Sequence, residues 1–223
     1  HLDHVPVIDE DDRRVDYREI IARALDAGYE SVMVDGSRLS LDENIACTLE
    51  IVELAHAVNV PVEGELGAVM GHEAGPLPPY EELFASGKGF TDPGEARRFV
   101  AETGVDWLSV AIGNIHGAIS AATKGLQKIA ARLSIPQLDR IYAATGIPLV
   151  LHGGTGIRKE YIIQSLQHGI AKINVATAIR QPYERALATG IPAAQTAVYE
   201  AMLTVIRNDL EVQNLAAVLK PQE

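Results

Sequence analysis

A parallel α/β architecture, closed as a TIM (β/α)8 barrel, is what this 223-residue sequence predicts. Three observations carry that expectation. Five times a helix-like stretch ends in Gly or Asn and runs into an apolar, β-prone segment: "ALDAGYESVMVDG", "LAHAVNVPVEGEL", "AETGVDWLSVAIG", "AATGIPLVLHGG" and "LQHGIAKINVAT". Alternation of strand, loop and helix builds a parallel sheet with crossover helices, either open or closed. Second, Asp3, Asp35, Glu65, Asn114, His152 and Asn174 fall at or just past the expected C-terminal strand ends. That is the face on which barrel enzymes assemble their sites, and it favours the closed form. Third, barrels of roughly this length or longer run as one domain, so residues 1–223 are expected to form a single unit.

The elements follow in order. "HLDH" at residues 1–4 reads as the end of a first strand, and five whole strands follow it. Two further units would complete eight, so the barrel is expected to lack its first two βα units. Gly28, Asn59, Gly104, Gly146 and Gly169 are residues able to take the left-handed conformation that stops a helix. Ser40 with Glu43 fits a capping box, and Asp92-Pro93-Gly94-Glu95 offers an N-cap, a proline at the first helical position and an acid at the third. Residues 67–91 are the longest irregular segment, bracketing a short Tyr80-to-Phe84 turn or helix, and are expected to act as a lid or binding loop. Residues 182–223 read as helices that close the barrel or form a subunit interface.

Composition narrows the function. With 47% hydrophobic and 22% charged residues the chain has the make-up of a globular enzyme. A formal net charge of −11 opposes a broad nucleic-acid or anionic-membrane surface, so neither partner is expected and any anion must be caught locally. The single cysteine, Cys47, excludes an intramolecular disulfide and fits a reducing compartment. No apolar run reaches the roughly 18 residues of a spanning helix and no signal-like region opens the chain; the expected location is the cytoplasm.

The seven histidines are not equivalent. His56 lies inside a helical stretch and His168 near a helix C-terminus, where the helix dipole favours it; both read as structural. His1 is set aside as a strand-end imidazole of the kind that merely hydrogen-bonds to backbone. His4, His116 and His152 each occupy a different strand end or the loop after it, in "HLDHV", "GNIHGA" and "VLHGGTG". In a barrel those ends converge. Three imidazoles with an open fourth position are the ligand set of a catalytic zinc site, although any one strand-end histidine is more often a satisfied core or loop residue than a ligand. "HGGTG" places glycines and a hydroxyl between a strand and a helix, where backbone N–H groups can close on a phosphate. With "KINVAT" on the next strand it reads as one anion cradle, while tight turns alone would account for Gly154 and Gly156.

The ordered series "HLDH", "SVMVDGS" with "ENI", "VEGELG", "DWLSVAIGNIHG", "PLVLHGGTGI" and "GIAKINVAT" resembles class II, metal-dependent ketose-bisphosphate aldolases, the fructose- and tagatose-bisphosphate enzymes. The likeness covers residue 1 to about 185. It implies that His4, His116 and His152 bind zinc or another divalent metal, which holds dihydroxyacetone phosphate by its carbonyl and hydroxyl oxygens. A monovalent cation is a further implied ligand. Asp3 matches the acid/base at the C4 hydroxyl, Glu73 the glutamate that moves the proton at the donor carbon, and Asn174 the group that hydrogen-bonds the enediolate. Gly117, Gly153, Gly154, Thr155, Val175, Ala176 and Thr177 match substrate- and phosphate-binding positions. Asp35 and Glu65 match acidic positions near the metal, as secondary ligands or as partners orienting the imidazoles.

The resemblance therefore implies reversible aldol cleavage of a ketose 1,6-bisphosphate by a homodimer or homotetramer, with fructose 1,6-bisphosphate as the default and tagatose 1,6-bisphosphate as the alternative. His72 and Ala74 beside Glu73, the acidic stretch at 9–16 and "GPLPPYEELFASGKGF" depart from the family pattern. Asp3 and His4 are adjacent, and strand neighbours point to opposite faces; both can serve one site if the strand ends at Asp3 and the chain turns there. Two rival readings stand beside this one. Lys172 could form a Schiff base, as in metal-free aldolases, or merely neutralise carboxylates. The scaffold could also serve a non-catalytic binding subunit, although a matched acid/base pair is superfluous for binding.

Overall fold

The computed structural model describes residues 1–67, 79–114 and 131–215. The chain divides into two compact units, His1–Asn174 and Val175–Glu223. The first contains six strands: β1 (Leu2–Pro6), β2 (Val32–Asp35), β3 (Val62–Leu66), β4 (Trp107–Val110), β5 (Leu149–Leu151) and β6 (Ile170–Ile173). They form one sheet in sequential order, and every neighbouring pair is parallel. Successive crossovers of one hand produce this order. The order never reverses, as it does at the switch point of a doubly wound sheet. The sheet curves far enough for side chains at its two edges to meet: Lys172 Nζ lies 3.0 Å from His1 Nε2 and Asn174 Nδ2 lies 2.9 Å from Asp3 Oδ1.

Helices α1 (Tyr17–Asp26), α2 (Leu41–His56), α3 (Tyr80–Ser86), α4 (Pro93–Thr103), α5 (Ile135–Thr145) and α6 (Lys159–Gln167) belong to the same unit. Their ends bear out the stop and start signals. Gly104 and Gly146 are left-handed C-caps, and Gly28, Asn59 and Gly169 all have positive φ. Ser40 and Glu43 make the reciprocal capping box of α2, and Asp92 accepts from the N–H groups of Gly94 and Glu95 at the start of α4.

Packing sets which way the strands face. A Cβ on Gly64, in the middle of β3, would stand 2.8 Å from the Phe99 ring of α4. Only glycine lets that helix press so closely on the strand. The face of Gly64 is thus the apolar, helix-covered one, where fully buried Ile51, Phe99, Leu108, Leu138, Ile141 and Leu149 gather. By the two-residue period of a strand, Glu63 and Glu65 point to the opposite face, and both are buried.

Two side chains hold the C-terminal strand ends in place. Thr91 Oγ1 donates to the Leu66 carbonyl at 2.6 Å and accepts from Ala111 N–H at 2.8 Å, joining the end of β3 to the residue after β4. Asn114, expected among the strand-end polar residues, is a buried staple: Nδ2 donates to the Val110 and His152 carbonyls at 3.3 and 3.1 Å, and Oδ1 accepts from Ile112 N–H at 2.9 Å. His56 and His168, read from the sequence as structural, are paired with Asp106 at 2.9 Å and Asp139 at 2.5 Å.

The second unit contains α7 (Thr177–Leu187) and α8 (Ile191–Thr204), which pack on each other, and a π-helical turn, Val205–Asp209. Helix α7 starts ahead of Pro182 and carries that proline inside it. Among the described residues no helix is long and apolar enough to cross a membrane.

Replacing Thr91 by Val keeps the shape but strands a buried carbonyl and a buried N–H. We expect a loss of about 1–3 kcal/mol, read as a lower urea midpoint with an unchanged slope.

Candidate metal and acid-base site

The site begins with an irregularity in β1. Leu2 pairs with Val32 and Val5 with Val34, so three steps on β1 match two on β2, and His4 takes a φ of 48°. This is a bulge, with a left-handed residue that costs on the order of 1 kcal/mol or more for a non-glycine. It corrects the expectation that the strand ends at Asp3. The strand runs on to Pro6, and the extra residue, not a turn, lets the side chains of Asp3 and His4 serve the same site. Asp3 accordingly lies within β1, not at its C-terminal end, and Glu65 is the penultimate residue of β3. Asp35 ends β2, while His152 and Asn174 directly follow β5 and β6.

These strands bring His4 and His152 together. His4 Nε2 and His152 Nδ1 are 2.7 Å apart, with the rings edge to face. His152 is fully buried, and its other nitrogen, Nε2, lies 2.8 Å from Glu63 Oε1. Glu65 Oε2 stands 3.6 Å from His152 Nδ1 and, among the described residues, has no hydrogen-bond partner. On the far side of His4, Nδ1 faces Asp35 Oδ2 at 3.4 Å, and Asp35 Oδ1 accepts from the Ser37 N–H and hydroxyl at 3.0 and 2.6 Å.

The electrostatics follow from this crowding. Burial alone lowers the His4 pKa, but the Asp35 hydrogen bond and the negative charges of Glu65, Asp3 and Asp35 outweigh it and lift it to about 9. For Asp35, burial pushes upward, yet the hydrogen bonds from His4 and Ser37 win and bring it down to about 2. Glu65 is held well above the usual carboxylate range by burial, reinforced by the charges of Asp35 and Glu63. The pocket is short of positive charge.

Donor atoms converge in three groups: Asp3, His4 and His152; His4, Asp35 and Glu65; and His1, Asp3 and Glu63. The third already contains a cation, because Lys172 Nζ lies 2.6 Å from Glu63 Oε2 and 3.0 Å from His1 Nε2. The first two share His4 and border Glu65 Oε2. Two imidazole nitrogens on one tetrahedral zinc ion stand about 3.3 Å apart, given bonds of about 2.05 Å. The observed 2.7 Å suits a shared proton, and a small opening of the pair would admit a metal. The residues fit a divalent ion with nitrogen and oxygen ligands.

Asp3 is held from beside the pair. Its Oδ1 accepts from Asn174 Nδ2 at 2.9 Å, and its side chain stays 44% exposed, so it is open to a substrate. In the loop after β5, Gly153 has a φ of 68° and Gly154 N–H donates to the Asn174 carbonyl at 2.9 Å; Thr155 is nearly buried. Val175 and Ala176 open the second unit and Thr177 begins α7. His116, Gly117 and Glu73 lie outside the described residues.

Sequence reasoning passed over two members. Glu63 is fully buried and touches both His152 and Lys172. The signal was the pair of acids two apart in "VEGEL", which a strand must place on one face. His1, set aside as a bonder to backbone, instead has its ring 2.9 Å from the Ser31 hydroxyl and faces Lys172, Asp3 and Glu63.

Comparison with known proteins converges on one family. Residues 1–217 match the family model described as fructose-bisphosphate aldolase class-II. A fructose-bisphosphate aldolase of Staphylococcus aureus (strain Mu50) is 37% identical over 198 residues, covering 89% of this chain and 59% of its own length. A Bacillus subtilis (strain 168) relative is 42% identical over 159 residues, covering 71% of this chain and 50% of its own length. The chain thus spans between half and three-fifths of these relatives. Among solved structures, the YdjI aldolase of Escherichia coli K12 superposes with a TM-score of 0.61 at 32% identity, covering 84% of this chain and 63% of that one. A structure from Coccidioides immitis gives 0.68 at 30%, covering 91% and 70%. With the fold, the histidine pair and the matched span in agreement, the chain belongs to the class II fructose-bisphosphate aldolase family.

Proposed function

We propose that this chain carries the metal and acid-base site of an aldolase that reversibly joins dihydroxyacetone phosphate to an aldehyde. The substrate in the cleavage direction is a ketose 1,6-bisphosphate, with fructose 1,6-bisphosphate as the default and tagatose 1,6-bisphosphate as the stereochemical alternative that "KINVAT" favours. The observation that carries the reading is the meeting of His4 on β1 and His152 after β5, beside a buried carboxylate oxygen that has no hydrogen-bond partner among the described residues. The curved six-strand sheet is read as part of a (β/α)8 barrel acting as one domain, with the helices of 182–223 closing it or joining subunits of a cytoplasmic homodimer or homotetramer.

His4 and His152, with His116 as the third ligand, would hold zinc, and Asp35 and Glu65 would supply charge or alternate ligands. Bound there, the metal supplies Lewis-acid polarisation of the donor carbonyl. The protein's own groups do the rest. Asp3, steadied by Asn174, takes the C4 hydroxyl proton in cleavage and returns it in condensation. Asn174 offers its amide to the developing oxyanion, and Glu73 moves the proton at the donor carbon. Gly117, Gly153, Gly154, Thr155, Val175, Ala176 and Thr177 are assigned to the substrate and its phosphate, with a monovalent cation as a further ligand.

Lys172 is tied to Glu63 at 2.6 Å, which favours its role as a neutralising charge over that of a Schiff-base nucleophile.

Two measurements test the reading. Retro-aldol turnover of fructose 1,6-bisphosphate by the full-length protein should vanish in a strong chelator and return with zinc; turnover that survives chelation would revive the Lys172 route. Asp3→Ala should lower kcat by about 10²–10⁴-fold with unchanged zinc content per chain. Loss of the metal with the side chain would make Asp3 a ligand instead.

A further inference from the structure

Glu63 and Lys172 take no part in the chemistry above, yet fully buried Glu63 links the Lys172 ammonium to His152. Glu63 divides its two oxygens between a donor-only ammonium and a histidine ring: Lys172 Nζ at 2.6 Å on Oε2 and His152 Nε2 at 2.8 Å on Oε1. A neutral imidazole carries its proton on one nitrogen only, and the partner of one nitrogen decides what the other can do. We propose that Glu63 and Lys172 are a positioning pair that keeps the His152 proton on Nε2 and so presents the Nδ1 lone pair toward His4 and the metal.

The metal comes from the aldolase reading, and the tautomer follows from the geometry alone. Lys172 can only donate, so it fixes Glu63 as an acceptor toward it, and a carboxylate is an acceptor on its other oxygen too. His152 Nε2 must then be the donor. Asn174 Nδ2 is also 3.1 Å from Nε2 and has a second N–H beside the one given to Asp3 Oδ1, but the Glu63 carboxylate at 2.8 Å has no proton to give, so the proton between Glu63 and His152 must belong to Nε2. Carboxylates behind ligating histidines orient the ring and raise its basicity, and their loss weakens metal affinity by about 10–100-fold. Here the carboxylate carries its own counter-ion. The ammonium also fills the space among His1, Asp3 and Glu63, which leaves the His4–His152 side to the metal.

An amide at position 63 makes the idea decisive. In Glu63→Gln, Lys172 captures the amide oxygen, which turns the NH₂ toward His152 Nε2. That nitrogen must then accept, and the proton moves to Nδ1, where it blocks the ligand position. In the double variant Glu63→Gln/Lys172→Met nothing holds the amide oxygen, so it can turn to His152 and the Nδ1 lone pair returns.

The experiment measures zinc affinity of the full-length protein by competition with a chromophoric chelator, with urea unfolding as a control for folding. Glu63→Gln should bind zinc about 10–100-fold more weakly, and the double variant should recover to within a few-fold of the parent. Nitrogen-15 shifts of the His152 ring in the metal-free protein should show Nε2–H in the parent and Nδ1–H in Glu63→Gln. Unchanged affinity in Glu63→Gln, no recovery in the double variant, or Nδ1–H in the parent would overturn the inference. A parent that binds no zinc would instead sink the aldolase reading, and the nitrogen shifts alone would then decide the tautomer.

Discussion

The structure is organised around the negative charge buried on the inner face of β3. Glu63 and Glu65 point away from the helix layer because Gly64 between them must admit the Phe99 ring. Carboxylates in that position are expensive unless cations or donors surround them. Glu63 is answered by Lys172 from β6 and His152 from the end of β5. Glu65 Oε2 has no hydrogen-bond partner among the described residues and burial drives its pKa upward, while the acids around His4 raise that of His4. One half of the inner face is therefore balanced by the protein itself, and the other half is left attractive to a cation.

The strand order makes that balance attainable. His4 and His152 are 148 residues apart, and Lys172 and Glu63 are 109 apart, yet parallel strands laid down in sequence bring all of them to one curved surface. The bulge at His4 adds the last adjustment. Without it, Asp3 and His4 would alternate faces, and one of the two side chains would turn away from His152. A left-handed backbone at a histidine is tolerable where function repays the strain.

Much of this was legible in the sequence, for reasons that differ by residue. Gly104, Gly146, Ser40 with Glu43, and Asp92 announced their helix ends because capping is local chemistry, decided within a few residues. His152 was legible because it follows the apolar run "PLVL", and His4 because it stands in "HLDH" just ahead of apolar residues. The bulge in β1 was not: it arises from the register between β1 and β2, which no single segment encodes. Glu63 was passed over although the spacing in "VEGEL" pointed to it, because its partner Lys172 is remote in the chain. Asn114 was placed among the strand-end polar groups, but its three buried hydrogen bonds make it a staple; a side chain's partners depend on loops that meet only after folding.

Family membership and site geometry thus answer different questions. The matched span identifies the lineage, while the charge on β3 explains why its imidazoles converge where they do. The most direct check is anomalous diffraction at the zinc edge from crystals of the zinc-loaded, full-length protein. A peak bonded to His4 Nε2 and His152 Nδ1 at about 2.0–2.1 Å is the result this account requires. A peak among His1, Asp3 and Glu63, with Lys172 displaced, would contradict it.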